Sequence, residues 1–401
     1  MAKKNAVVIG FGGMGGWHCH FQRSNDVVNL KGVYDIKPER NKAAEEIGIY
    51  AYPSFEAVLA DPEVDFLVIA VPNDMHKPLA IAAMEAGKHV ISEKPVTLSS
   101  ADLQEMIDAS HKYDRRFTVH QNRRWDGEFL VMRDVYHSGD LGRVYSMESR
   151  VHGSRGIPGD WRGKKEHGGG MMLDWGVHLI DQIVNIVDDR KLESVWCKCD
   201  HITNDEVDDG FKLDMFYEGD LTCHVEVGTS NFINMPRFYM SGNNGSAMIS
   251  DWLQPCRIVY CHDWSIKDAK PIQTAAGLTK TMAPRDEKSI TEKSIPQPAA
   301  DVHDFYRNFV KAIDGEEQQI VTHEQMMFVM KIMEAAFESD RLGMPVKINY
   351  NIHGQRTLSL SVFFVKHRQK VGTHPSLRHR MIMRSGNASK PYGYFILGGL
   401  L

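Results

Sequence analysis

Apolar residues follow two rhythms along this 401-residue chain, and the change falls near residue 125. Before it, short apolar runs alternate with stretches of helical period. The runs are "AVVI" (6–9), "LKGVYD" (30–35), "DFLVIAVP" (65–72), "HVISEKP" (89–95) and "FTVHQ" (117–121). "DFLVIAVP" has the near-unbroken apolarity of a parallel strand covered on both faces. Between the runs lie "PERNKAAEEIG", opened by Pro38 and closed by Gly48, then "HKPLAIAAMEAGK" and "SADLQEMIDASHKYD". Proline at the start and glycine at the end are helix boundary signals. Repeated strand–helix units predict a doubly wound parallel sheet with helices on both faces over residues 1–122.

Beyond residue 125 the order becomes helices and then strands. A helix is expected over 127–138, and a second is opened by the three glycines of "EHGGGMMLDWGVHLID" (166–181). Strand-like runs follow: "ESVWCKCDHI", "FKLDMFYEG", "LTCHVEVGTS", "RFYMSG", "SAMISDW" and "CRIVYCH". Asn243-Asn244-Gly245 between two of them is a hairpin signal. Such a series predicts an α+β domain with a large, mostly antiparallel open sheet over residues 123–349. Residues 267–300, rich in Lys, Thr, Ser and Pro, read as loop, and helices at 301–313 and 323–341 close the domain. No internal repeat is present.

Composition separates one further segment. Of the 47 Lys and Arg residues, eight lie in 350–401, which holds no carboxylate. The first 349 residues therefore carry 39 basic and 52 acidic groups, a net charge of −13, and the tail adds +8. The tail reads as a basic extension outside the fold, either genuine or out-of-frame sequence never selected for folding. An acidic body argues against a nucleic-acid partner. No run approaches the roughly 20 apolar residues of a spanning helix. Six cysteines without a C-x-x-C pair fit free thiols in a reducing compartment, so a cytoplasmic, membrane-free protein is expected.

"GFGGMG" follows the first strand directly and opens a helix. In that context Gly10-x-Gly12-x-x-Gly15 is the dinucleotide-binding fingerprint of a Rossmann domain. Gly10 permits the tight turn, Gly12 admits the pyrophosphate and Gly15 allows close helix–strand packing. Phe11, Gly13 and Met14 complete the turn, and the phosphates meet the positive end of the helix. Asp35, 20 residues beyond Gly15, closes the second strand. A carboxylate there accepts ribose hydroxyls and repels a 2′-phosphate, which favours NAD over NADP. Arg40 is the counter-indication, read as lying on an exposed helix face.

At 3.6 residues per turn, Asp174, His178 and Asp181 fall on one helix face beside an apolar stripe of Met171, Leu173, Val177, Ile180 and Val184. "EKP" (93–95) stands at the carboxyl end of a strand, where ligands of open α/β sheets bind. Together with "VPND" (71–74) and "NRRWD" (122–126), these motifs make residues 5–349 resemble the Gfo/Idh/MocA family of sugar and polyol oxidoreductases. The resemblance implies that Lys94, Asp174 and His178 surround the reacting carbinol. It implies that Arg123 lies near the substrate and that "GSRGIPGDWRG" (153–163) forms a loop over the cleft. Chemistry agrees: imidazole is suited to take a hydroxyl proton near neutral pH, and an ammonium stabilises alkoxide charge.

The expected cofactor shell also takes in Pro72, Asn73, His76, Glu93 and Lys94. The expected substrate shell adds Asn122, Trp161, Arg162 and, one turn after His178, Asp181. Arg124 reads as a structural ion-pair partner. The three glycines are expected to let the chain pass close to substrate. His18 and His20 of "WHCH" face different directions on a helix, so no metal is expected.

Three classes of function follow. The first is an NAD-dependent dehydrogenase for a secondary hydroxyl of a sugar, glycoside or inositol. The second is a glycosidase using NAD for oxidation, elimination and re-reduction, and the third a ligand-sensing relative without turnover. A second copy of the chain is the expected partner, because the helices in this sequence can cover only part of so broad a sheet and an uncovered apolar face is usually hidden by a copy of itself. The family resemblance implies a homodimer or homotetramer.

Overall fold

The computed structural model describes residues 3–267 and 269–348. What the sequence led us to expect of residues 350–401 lies outside the described residues.

Strands β1 (Lys4–Ile9), β2 (Val28–Tyr34), β3 (Phe66–Ile69), β4 (His89–Ser92) and β5 (Phe117–Val119) form an all-parallel sheet in the order β2-β1-β3-β4-β5. Chain direction across the sheet reverses between β1 and β3, so a crevice opens outside their carboxyl ends. Every residue of β3 is buried, as the unbroken apolar run requires. Helices α1 (Gly13–Ser24), α2 (Pro38–Glu46), α4 (His76–Glu85) and α5 (Ser100–Lys112) make the crossovers. A short helix that the pattern did not indicate, α3 (Phe55–Ala60), precedes β3. Six residues are too few to show a period, and the Ser54 hydroxyl, which accepts the Ala57 N–H, is its local signal.

The second sheet has nine strands where the sequence showed six. They are β6 (Val144–His152), β7 (Leu192–Asp200), β8 (Gly210–Tyr217), β9 (Leu221–Gly228), β10 (Phe238–Gly242), β11 (Gly245–Ile249), β12 (Cys256–Cys261), β15 (Ile290–Ile295) and β16 (Val346–Lys347). Their order is β15-β12-β11-β10-β6-β9-β8-β7-β16, antiparallel except between β6 and β9. Strand β6, "VYSMESRVH", was hidden by its polar composition although it sits mid-sheet. Strand β15 and a two-stranded hairpin, β13 (Ile272–Thr274) with β14 (Gly277–Thr279), fall where loop was expected. An edge strand needs ladder hydrogen bonds more than apolar side chains, so the Lys- and Glu-rich β15 gave little pattern.

Helices α6 (Gly127–Ser138), α7 (Val177–Ile186) and α9 (His323–Leu342) cover one face of this sheet. The other face is not the apolar surface expected. Lys212 and Asp214 of β8, His224 and Glu226 of β9, and Arg150 of β6 alternate with the buried Leu213, Met215, Cys223 and Val225. Helix α8 (His303–Ile313) also departs from its expected place. It returns to the first sheet, where Phe309 meets Phe66 edge to face at 5.6 Å and Asp314 pairs with Lys4 at 2.7 Å. Helix α9 then links back through Glu334, which accepts the Ser100 N–H and hydroxyl.

Candidate active site

The glycine turn has the shape that the fingerprint predicts. Gly10 has φ +92°, and a Cβ there would collide with the Ala70 carbonyl. A Cβ on Gly15 would collide with the Gly10 carbonyl, whereas one on Gly12 or Gly13 would meet nothing within 4 Å. The packing side of the turn is therefore closed and its outer side open. No side chain caps the first turn of α1. An open cradle at an uncapped helix N-terminus fits a dinucleotide pyrophosphate. Phe11 and Met14 are half-buried along this turn, and Pro72 is exposed at the end of β3.

Asp35 sits at the same turn. Its Oδ2 accepts the Phe11 N–H at 2.7 Å and its Oδ1 the Lys37 N–H at 2.9 Å. Arg40 is exposed as expected, but it reaches back to the turn and donates to the Phe11 carbonyl at 3.0 Å. A carboxylate and a guanidinium thus flank one backbone segment.

Lys94, at the end of β4, donates from Nζ to Asp174 Oδ1 at 2.9 Å and to the Asp174 carbonyl at 2.8 Å. Arg162 donates from Nε to Asp174 Oδ2 at 3.1 Å and from Nη1 to Asp160 Oδ2 at 2.7 Å. The Asp160 carboxylate also caps the turn that presents Trp161 and Arg162, and the Arg162 guanidinium lies 4.7 Å from the Trp161 ring. The 153–163 loop is thereby tied to the carboxylate expected beneath it. Burial would raise the Asp174 pKa, but Lys94 and Arg162 outweigh it and hold the carboxyl below its ordinary value.

Asp174 and His178 do not share one regular helix. Met172–Gly176 is a π-turn, and α7 begins only at Val177. The wider turn changes the phase that 3.6-residue spacing assumes. Asp181, one turn beyond His178 within α7, is engaged elsewhere. It forms a two-point ion pair with Arg124, at 2.6 and 2.8 Å, with both side chains buried. Arg124 is the structural partner expected, and Asp181, expected in the substrate shell, is the carboxylate that it pairs with.

The ring of His178 is almost fully buried, and among the described residues its Nδ1 has no hydrogen-bond partner. Burial first, then the charges of Lys94 and Arg123, hold its pKa well below the usual histidine value, with Glu93 opposing. The ring is therefore neutral at neutral pH. Arg123 lies against a pair of aromatic rings, 4.5 Å from Trp175 and 5.5 Å from Trp252, and donates to Asp126 at 3.0 Å. Asn122 lies half-buried in the same short turn. Trp252 follows β11, far from Trp175 in sequence, and no local pattern could have paired them. Arg155 is exposed on its loop.

Three expected cofactor residues turn inward instead. His76 is fully buried, with Nδ1 2.9 Å from the Pro95 carbonyl and Nε2 3.0 Å from that of Val71. Asn73 donates to the Gly168 carbonyl at 2.9 Å. The Glu93 carboxylate meets His18 Nε2 and His120 Nδ1, each at 2.8 Å. These side chains engage protein groups of the cleft walls. The three glycines likewise pack against protein: a Cβ on Gly169 would strike the Arg162 carbonyl, and one on Gly170 the Asp208 carboxylate. Asp208 accepts the Met172 N–H at 2.7 Å and so anchors the π-turn; burial pushes its carboxyl up to about 7.

A glycine turn open to a pyrophosphate at the carboxyl end of a parallel sheet has the form of an NAD(P)-binding oxidoreductase fold. The chain belongs to the Gfo/Idh/MocA oxidoreductases: residues 4–121 match the oxidoreductase family with an NAD-binding Rossmann fold, and residues 129–248 match the GFO/IDH/MocA C-terminal domain. It is similar to a solved NAD-binding protein from Listeria innocua, at 44% identity and TM-score 0.83 over 87% of this chain and 100% of that one. It is 26% identical to a scyllo-inositol 2-dehydrogenase (NADP(+)) from Bacillus subtilis (strain 168), over 71% of this chain and 79% of the relative. A myo-inositol 2-dehydrogenase from Thermotoga maritima is 27% identical over 65% of this chain and 71% of its own length. Among the described residues, no helix is long and apolar enough to cross a membrane.

Proposed function

We propose that the chain is a dehydrogenase that moves hydride between a nicotinamide dinucleotide and a secondary hydroxyl of a sugar, glycoside or inositol. The observation that carries the reading is the 2.9 Å contact between Lys94 and Asp174 beside the neutral His178. Gly10, Gly12, Gly15 and Asp35 would hold the dinucleotide. When bound, the nicotinamide supplies a two-electron hydride acceptor. The imidazole of His178 takes the hydroxyl proton as the carbinol C–H pair departs. Lys94 stabilises the negative charge that develops on the same oxygen. Asp174 fixes the Lys94 ammonium and can accept a hydrogen bond from a neighbouring hydroxyl. Arg123 and Arg162, each stacked on tryptophan, offer donors beside aromatic surface, which suits a ring with hydroxyl edges and apolar faces.

Asp35 favours NAD. In this reading the enzyme works as a homo-oligomer in the cytoplasm. Incubating the full chain with NAD or NADP and a panel of inositols and glycosides tests the reading. Reduced cofactor should accumulate with at least one member. A panel that binds without reducing either cofactor, or that releases aglycone with no net reduction, overturns it.

A further inference from the structure

Behind the catalytic surface lies a sealed set of titratable groups that the proposed reaction does not use. It draws on four separate elements: His18 from α1, Glu93 after β4, His120 after β5 and Tyr306 from α8. Glu93 Oε1 lies 2.8 Å from both His18 Nε2 and His120 Nδ1, and His18 Nδ1 lies 2.5 Å from the Tyr306 hydroxyl. Glu93 Oε2 accepts the backbone N–H of Lys94 at 3.0 Å. All four side chains are at most 6% exposed.

A buried carboxylate is expensive unless its lone pairs are filled. Here burial alone would raise the pKa of Glu93, but His120 and His18 outweigh it and keep the group well below the carboxylate range. His18, buried and beside His120, is itself held below its ordinary value despite Glu93. The pattern is one fixed negative charge between two imidazoles that lend it N–H donors. These atoms also lie within 4.8 Å of one another, a spacing open to a metal ion. The 2.8 Å nitrogen–oxygen separations are ordinary hydrogen-bond lengths and need no ion.

We propose that Glu93, braced by His18 and His120, is a positioning residue: its carboxylate fixes the Lys94 turn through the Lys94 N–H, and its buried negative charge acts from there on the Lys94–His178 cluster. This rests on the catalytic reading of Lys94 and His178 given above. The groups acting on His178 are Lys94 and Glu93 from the β4 end and Arg123 and His120 from the β5 end, with Asp174 on the adjoining π-turn. Of these, Glu93 is the one whose carboxylate opposes Lys94 and Arg123 without itself being tied to either side chain. Asp174 is tied to Lys94, so its charge is largely answered locally.

The test replaces Glu93 by Gln, which keeps the shape and removes the charge. The His178 ring resonance is followed by NMR in chain labelled at the histidine Cε1, assigned by its loss in His178→Asn. The expected result is a protonation midpoint for His178 at lower pH in E93Q than in the parent. With a substrate in hand, kcat should fall about tenfold or more while the NAD Kd changes less than about threefold. His18→Leu, which removes one donor but leaves Glu93, should move the midpoint the same way by less, and it serves if E93Q does not fold. An unmoved midpoint in both variants overturns the proposal. So does a large loss of NAD affinity at unchanged kcat, which would make Glu93 a cofactor ligand. One metal ion per chain in the parent, absent from E93Q, overturns it too. The NMR arm needs no turnover, so a chain that oxidises no sugar would fail the proposed function while this inference is still judged.

Discussion

His178 and His224 stand among acids and bases on the two sides of the second domain, and their surroundings drive them in opposite directions. His178 is sealed beneath Lys94 and Arg123, and burial with those cations pushes its pKa well down. His224 lies on the open sheet face, 2.7 Å from Asp214 and 3.7 Å from Glu226, and those two carboxylates lift it to about 9. One ring is kept neutral and short of partners, and the other is kept charged and fully answered. The difference supports the role proposed for the first cluster. A satisfied ion-pair ladder holds its charges constant, whereas a base must stay unprotonated until a substrate offers a proton.

The largest effect should come from breaking the cation side of the first cluster. Lys94→Met should lower kcat about a thousandfold or more with NAD affinity nearly unchanged, because the charge is needed chiefly in the transition state. Titration calorimetry with NAD beside steady-state rates separates the two effects. A fall in affinity equal to the fall in rate would mean that Lys94 merely binds.

Next in size is a stability effect. Asp181→Asn leaves Arg124 buried without its carboxylate and should cost about 3–5 kcal/mol, with KM unchanged in whatever enzyme survives. Denaturant melts measure the first and initial rates the second. A variant of normal stability with a raised KM would return Asp181 to the substrate shell.

Cofactor choice should respond more modestly. Asp35→Ser should relax the preference for NAD over NADP by about ten- to a hundredfold, since Arg40 at the same turn can then meet a 2′-phosphate. The ratio of kcat/KM for the two cofactors reports it, and an unchanged ratio would place selection elsewhere.

The smallest effect belongs to the open face. His224→Ala should change stability by no more than about 1 kcal/mol and leave kcat alone, because the ring is partly exposed and its ion pairs are screened. The folded-state pKa of His224 is raised, so its contribution is fully present below the unfolded value of 6.5 and fades as pH rises through about 9. The buried His18, His76 and His178 have depressed values, so theirs is present above 6.5 and fades as pH falls below it. Melting temperatures of parent and His224→Ala should therefore converge at alkaline pH, while both fall in acid. A gap that widens above pH 9 would contradict the ladder.

What could be read from sequence was whatever a local period or turn dictates. The parallel sheet, the Gly10–Gly15 turn and Asp35 beside it follow from strand ends and glycine spacing, whereas the meeting of Lys94 with Asp174 was implied by the family resemblance. Three kinds of feature escaped. The π-turn at 172–176 broke the regular spacing assumed between Asp174 and His178, and an ion pair with Arg124 engaged Asp181. Tertiary pairing put Trp252 against Arg123 and α8 against the first sheet, with nothing in either segment to announce it. Burial turned Glu93 and His76 inward, although their positions in "EKP" and "VPNDMH" pointed at the cleft. Residue type and spacing give a carboxylate's address; they do not say which way it faces.

The most direct test of the account follows the transferred atom. A substrate identified from the panel, deuterated at the carbinol carbon, is incubated with the oxidised cofactor and the full chain, and the cofactor is recovered for mass spectrometry and proton NMR. The account predicts one deuterium on nicotinamide C4, on a single face, appearing in step with the ketone and suppressed in Lys94→Met. Cofactor that stays unlabelled while substrate is consumed, or that carries label no more slowly with Lys94→Met, would contradict it.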